Sequence, residues 1–168
     1  MKSLELIMKN SFTTHKSIVI AFVLLIAVAS FIFYMSSRDV DESMTNSMPF
    51  DRFVASVLVD GYDEMTPEEQ NLAALAYDEP IRHVAHAAEF FVLGALLALL
   101  CYMLAVPVWV GLLAGAGYGV FDEIHQLFVA GRGCQLSDIG FDVCGVVIGV
   151  IIVTVICKCF RKTMYLKK

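Results

Sequence analysis

Four stretches of this chain, at about 17–35, 83–104, 107–128 and 139–160, are long apolar runs. Each supplies roughly the 20 residues that a helix rising 1.5 Å per residue needs to cross a hydrocarbon core. The apolar positions are continuous rather than alternating, which disfavours a closed strand barrel. The pattern predicts an all-α fold, a single membrane domain over residues 1–168 built as a four-transmembrane-helix bundle.

The segment between the first two runs, residues 36–82, is polar and has its own helical signals. Phe50, Phe53, Val54, Val57 and Leu58 follow helical spacing after Pro49, and Gly61 ends the pattern. Thr66, Pro67 and Glu69 make a capping-box start with proline at the first helical position, and Leu72 and Leu75 form the apolar side of the helix it opens. This loop is expected to be partly helical. It would lie on the membrane face, cover a polar site, or remain a solvated loop with nascent helix.

Composition agrees with a membrane protein. Of 168 residues 58% are hydrophobic, and mean hydropathy is +0.72; an ordinary soluble domain is about 45–50% apolar. The net charge of −5 is unevenly spread, because residues 36–82 hold 11 acidic and 3 basic residues and contribute −8. Lys2, Lys9 and Lys16 precede the first run, and Lys158, Arg161, Lys162, Lys167 and Lys168 lie at or beyond the end of the last. Lys and Arg at span ends favour the cytoplasm, so both termini are expected there and the acidic loop outside. A cleaved signal peptide is the competing reading of the first run, since Ala27-Val28-Ala29 resembles a small-residue cleavage site. Phe31-Ile32-Phe33-Tyr34 continues the apolar stretch past it and favours a retained helix.

Small residues suggest how the helices meet. Gly111 and Gly115, then Gly145 and Gly149, each form G-x-x-x-G, and Gly94 with Ala98 gives a matching smooth face on the second run. These faces would draw helices together within the chain or, alternatively, join two copies as an oligomer. The five cysteines contain no C-x-x-C pair, and an odd number cannot all pair.

Twelve polar or charged side chains fall at the same ends of three runs: Arg82, His83, His86, Glu89, Asp122, Glu123, His125, Gln126, Arg132, Ser137, Asp138 and Asp142. A charge at the bilayer centre costs about 2.5–3.5 kcal/mol on the gentlest scale, so such a layer points to a buried polar site. Arg82, His86, Glu89 and Leu93 step by four, three and four residues and share one helix face, with His83 beside them. Asp122, His125 and Gln126 share a second face, with Glu123 turned partly aside. Asp138 and Asp142 share a third. Five carboxyl groups face two permanent cations, Arg82 and Arg132. Protonated carboxyls, a metal cation or a cationic ligand would each balance them. The bland alternative is that the two arginines only tie helix ends together through Asp and Glu.

Metal binding would need His86 and Glu89 together with Asp122 or Glu123, a donor set suited to zinc or manganese. No H-E-x-x-H, G-x-S-x-G, P-loop or dinucleotide fingerprint occurs. The thin scatter of basic residues argues against nucleic acid as a partner. The identity of any cofactor stays open.

These residues, in this order, resemble the VanZ-like family of small bacterial membrane proteins. The likeness runs through Arg82-x-x-x-His86-x-x-Glu89-Phe90-x-x-Leu93-Gly94 and Asp122-Glu123-x-x-Gln126-x-Phe128. It continues with Gly131-Arg132, Asp138, Gly145 and Gly149, and Ser36-Ser37 looks like the family's exit from the membrane. Phe90 stands where the family often has Tyr, and Asp142 where Asn is more usual. The resemblance implies a multi-pass protein of the bacterial cell membrane with a role in envelope physiology. The name-giving member is associated with low-level resistance to teicoplanin, a glycopeptide with a lipid tail.

The leading expectation is a protein whose outward polar pocket engages an envelope-lipid headgroup or a lipoglycopeptide. Arg82, His86, Glu89, Asp122, Glu123, Gln126, Arg132, Asp138 and Asp142 would form it. The alternatives are a membrane-embedded hydrolase or transferase acting on an envelope lipid, metal-dependent if His86, Glu89 and Asp122 hold an ion, and a scaffold whose polar layer only orders helices.

Overall fold

The computed structural model describes the backbone of residues 2–166 and the side chains of residues 15–159. Among these the chain is all-α, with five helices: α1 Lys2–Ser36, α2 Val40–Leu58, α3 Pro67–Met103, α4 Val108–Gln126 and α5 Leu136–Leu166. A single 3-10 turn, Tyr62–Glu64, follows α2. Three stretches are long and apolar enough to cross a membrane: His15–Ser36, Pro67–Met103 and Leu136–Cys159. At about 28 Å by rise, α4 has nearly the needed length, but Asp122, Glu123, His125 and Gln126 near its end dilute its hydropathy.

Residues 36–82 form a helical hairpin rather than a loop with two short pieces. α2 begins well before Pro49, where the Asp39 side chain caps it by accepting the Glu42 N–H at 2.8 Å, and Asp41 and Glu42 suit the positive helix end. Pro49 lies inside this helix. The Thr66–Glu69 capping box forms as the spacing predicts, but the helix it starts does not stop before the second apolar run. It continues through Pro80 to Met103. An interior proline costs roughly 3 kcal/mol, and packing must offset it. Packing comes from α2, which lies along the first half of α3 and buries Ala55, Tyr62 and Ala74 with it. A helix of this length spans about 55 Å, well beyond a hydrocarbon core of about 30 Å, so its acidic N-terminal turns extend past the apolar part.

The hairpin has one electrostatic peculiarity. Asp51 on α2 is fully buried, and neither carboxylate oxygen has an aligned hydrogen-bond partner. Burial pushes its pKa up, against the Ser47 hydroxyl and helped by Asp78. A carboxyl held neutral in this way favours the folded hairpin more as pH falls through the raised pKa.

The main core joins α1, α3, α4 and α5. Ile32, Phe90, Leu93, Ala98, Val146 and Val150 are buried in it, with Val28, Leu97 and Tyr118 packed against them. α3 is the hub, touching every other helix and most extensively α5. Glycine sets that approach. A Cβ on Gly94 would stand 2.5 Å from the Val146 carbonyl oxygen, and one on Gly145 or Gly149 would strike the backbone of Ala87 or Phe91. On α4, Gly111 abuts Cys101 and the backbone of Leu97, while Gly115 abuts Val146. Both G-x-x-x-G faces are therefore taken up between helices of one chain. The perimeter is apolar instead: Phe22, Leu24 and Phe31 on α1, Trp109, Leu113 and Phe121 on α4, and Ile148, Ile151 and Ile156 on α5 are exposed.

Candidate polar site

At the end of the bundle where α1 and α4 finish and α5 begins, four helices contribute polar side chains to one buried layer. Asp122, Glu123, Asp142 and Asp138 are 0–1% exposed, Gln126 3% and His86 7%. So many buried polar groups require internal partners, and the structure supplies most of them.

Asp122 on α4 is held by its Oδ2, which accepts from the Ser36 hydroxyl at 2.8 Å and from the Gln126 amide at 3.0 Å. Its Oδ1 is buried without a partner. Gln126 also donates to Glu123 Oε1 at 3.3 Å, and the Gln135 backbone N–H donates to Glu123 Oε2 at 2.8 Å. Glu123 thus points into the layer and pins the α4–α5 turn, whereas its helical spacing predicts a position partly aside. Asp142 Oδ1 lies 3.1 Å from His86 Nδ1, tying α5 to α3, and its Oδ2 is again buried and unpartnered. Gly119 makes room for this carboxylate: a Cβ there would sit 3.1 Å from the Asp142 Cβ.

One turn earlier on α3 and on α5, Asp138 sits 3.0 Å from His83 Nε2 and 3.7 Å from Arg82 Nη2. His83 stacks on Phe141 with ring centroids 4.3 Å apart. Arg82 also donates to Gln135 Oε1 at 3.3 Å, but its Nε is buried without a partner. Arg132, in the α4–α5 turn, is half-buried and its Nε is likewise unpartnered. Burial, with Arg82 nearby, pushes the Arg132 pKa down, against the opposing pull of Asp122, Asp138 and Glu123.

Above this layer lies a cavity of about 230 Å³. Arg82, His86, Glu89 and Arg132 line it together with Ser43, Met44 and Ser47 of α2. The α2 helix of the hairpin thus forms one wall of a cavity that His86 of the polar layer also lines.

Of the nine residues expected to form the pocket, Arg82, His86, Glu89 and Arg132 line the cavity, while Asp122, Glu123, Gln126, Asp138 and Asp142 are buried in the neighbouring layer and do not line it. For a metal, the side chains brought within reach are His86, Asp122 and Asp142, whose ligand atoms lie within 4.8 Å of one another. Glu89, favoured by its H-x-x-E spacing, lines the cavity instead. His125 is turned towards α1, 3.0 Å from the Ser37 hydroxyl and stacked on Phe33, as a satisfied group outside the cavity.

The VanZ/LLP1 family model matches residues 21–158. The chain belongs to that family. Its apolar helices and this membership together make it a membrane protein of VanZ type. No curated protein and no solved structure matches it.

Three contributors to the packing around this site have no site role in the sequence pattern. Ser36 holds Asp122, Gln135 holds Glu123 and Arg82, and Tyr118 donates to the Ala29 carbonyl at 2.7 Å to fix α1 against α4. Ser36 carries one signal, its place at the end of an apolar run. Gln135 and Tyr118 carry none that distinguishes them from ordinary turn and core residues.

Proposed function

We propose that this VanZ/LLP1 protein crosses the bacterial cell membrane four times and binds the phosphate-bearing headgroup of an envelope lipid in an outward-facing cavity. Counting α4 as a span follows from its lipid-like surface, with Trp109, Leu113, Val120 and Phe121 exposed along it. The basic residues at both chain ends favour a cytoplasmic location for the termini, which turns the polar layer and the α2–α3 hairpin outward.

The observation carrying the ligand class is the pair of guanidinium groups, Arg82 and Arg132, that face the cavity with buried, unpartnered Nε atoms. Arginine matches phosphate geometry and forms charge-assisted hydrogen bonds to it. The cavity volume of about 230 Å³ lies below the range of about 300–1,000 Å³ for drug-sized ligands. It suits a headgroup, with the acyl or prenyl tail left in the bilayer. Glu89 beside the arginines would orient hydroxyl or amine substituents of the headgroup. By engaging such lipids the protein would alter the envelope surface and, as the VanZ likeness implies, susceptibility to lipid-tailed glycopeptides such as teicoplanin.

Native mass spectrometry from mild detergent tests this reading with two probes of equal tail length, phosphatidic acid and diacylglycerol. The expected result is one phosphatidic acid retained per chain under activation that strips diacylglycerol. Equal retention of the two would remove the phosphate-specific site.

A further inference from the structure

We propose that His86, Asp122 and Asp142 form a binding site for one divalent metal ion of the zinc or manganese class. This inference does not rest on the headgroup reading: an ion could bind here with no lipid in the cavity, and a lipid could bind without the ion.

Three observations carry it. First, one donor atom from each residue, on α3, α4 and α5 respectively, lies within 4.8 Å of the others. Ligands bonded to one ion at about 2.0–2.2 Å stand at most about 4.4 Å apart, so closure needs only small side-chain shifts.

Second, donor capacity remains on both carboxylates. Ser36 and Gln126 saturate one oxygen of Asp122, and His86 contacts one oxygen of Asp142. Asp122 Oδ1 and Asp142 Oδ2 are left buried and unpartnered on side chains that are fully buried. An unpartnered carboxylate oxygen away from water is costly, and two from facing helices beside an imidazole are best satisfied together by a cation.

Third, the supporting contacts are those of a metal site. Ligating carboxylates are normally held by outer hydrogen bonds, as Ser36 and Gln126 hold Asp122. One imidazole with two carboxylates suits zinc or manganese better than calcium, which takes an all-oxygen shell. Of the three ligands, His86 also lines the cavity, while Asp122 and Asp142 are buried behind it.

The competing arrangement is a protonated His86 paired with Asp142, with no ion. The full chain, purified in mild detergent and stripped with chelator, is titrated with zinc and with manganese, and bound metal is measured by plasma mass spectrometry after desalting. The expected result is about one ion per wild-type chain, as a single-centre site of this kind holds. Asp142→Asn and His86→Gln should each lose this uptake. Ser36→Ala, which removes no ligand, should weaken binding about 10–100-fold. Wild-type protein that takes up neither metal overturns the site, and this arm depends on no variant folding. Uptake retained in folded Asp142→Asn or His86→Gln protein overturns it equally.

Discussion

Arg132→Ala is expected to weaken binding of a phosphate-headed lipid by roughly 10- to 100-fold while leaving the fold intact. Hydrogen bonds to charged groups contribute about 1.5–3 kcal/mol each, and Arg132 would supply them to the phosphate. In the protein alone its Nε is buried without a partner and it makes no ion pair among the described residues, while Asp122, Asp138 and Glu123 lie near enough to favour its charge. Removing it trades that attraction against the desolvation cost of a half-buried cation, so the thermal transition in detergent should shift little. A scaffold role predicts the reverse pattern, with stability falling and ligand binding irrelevant. Lipid retention and thermal melting on the same sample separate the two.

Gly145→Leu is expected to damage the bundle severely. Any Cβ at this position strikes the Ala87 carbonyl oxygen, and the nearest atoms are backbone, which cannot swing away as a flexible side chain can. Overpacking of this kind costs about 1–3 kcal/mol or more, and helices in lipid depend on close packing because water exclusion does not drive them together. α5 would move off α3 just below the site and carry Asp142 away from His86. The variant should melt at lower temperature and lose ligand capacity together. Gly117→Leu is the control, since a Cβ there meets nothing within 4 Å. Equal melting temperatures for the two variants would refute the packing role.

Much of this architecture is legible in the chain. Apolar run lengths mark the helices, and the steps from Arg82 to His86 to Glu89 and from Asp138 to Asp142 put these residues on one face of α3 and one of α5, with His86, Asp138 and Asp142 buried. Pattern along one chain does not show what happens between helices. The H-x-x-E spacing makes His86 and Glu89 natural co-ligands, because three residues apart on one helix are neighbours. The cluster instead uses Asp142, on a helix whose distance from α3 is set by Gly94, Gly145 and Gly149. A serine ending an apolar run looks like any helix exit, and Ser36 gains its role only when α4 brings Asp122 beside it. On the sequence pattern the first hairpin helix begins only after Pro49, and Pro80 lies inside the second, where a proline is unfavourable. Contact between α2 and α3, invisible to a window of a few residues, overrides both.

A membrane-reconstituted structure with phosphatidic acid would test the headgroup site most directly. The expected result is a phosphate in the cavity under α2, with guanidinium nitrogens of Arg82 and Arg132 about 2.7–2.9 Å from its oxygens. Phosphates confined to the outer rim of the bundle, with both arginines turned onto Asp or Glu side chains, would contradict it.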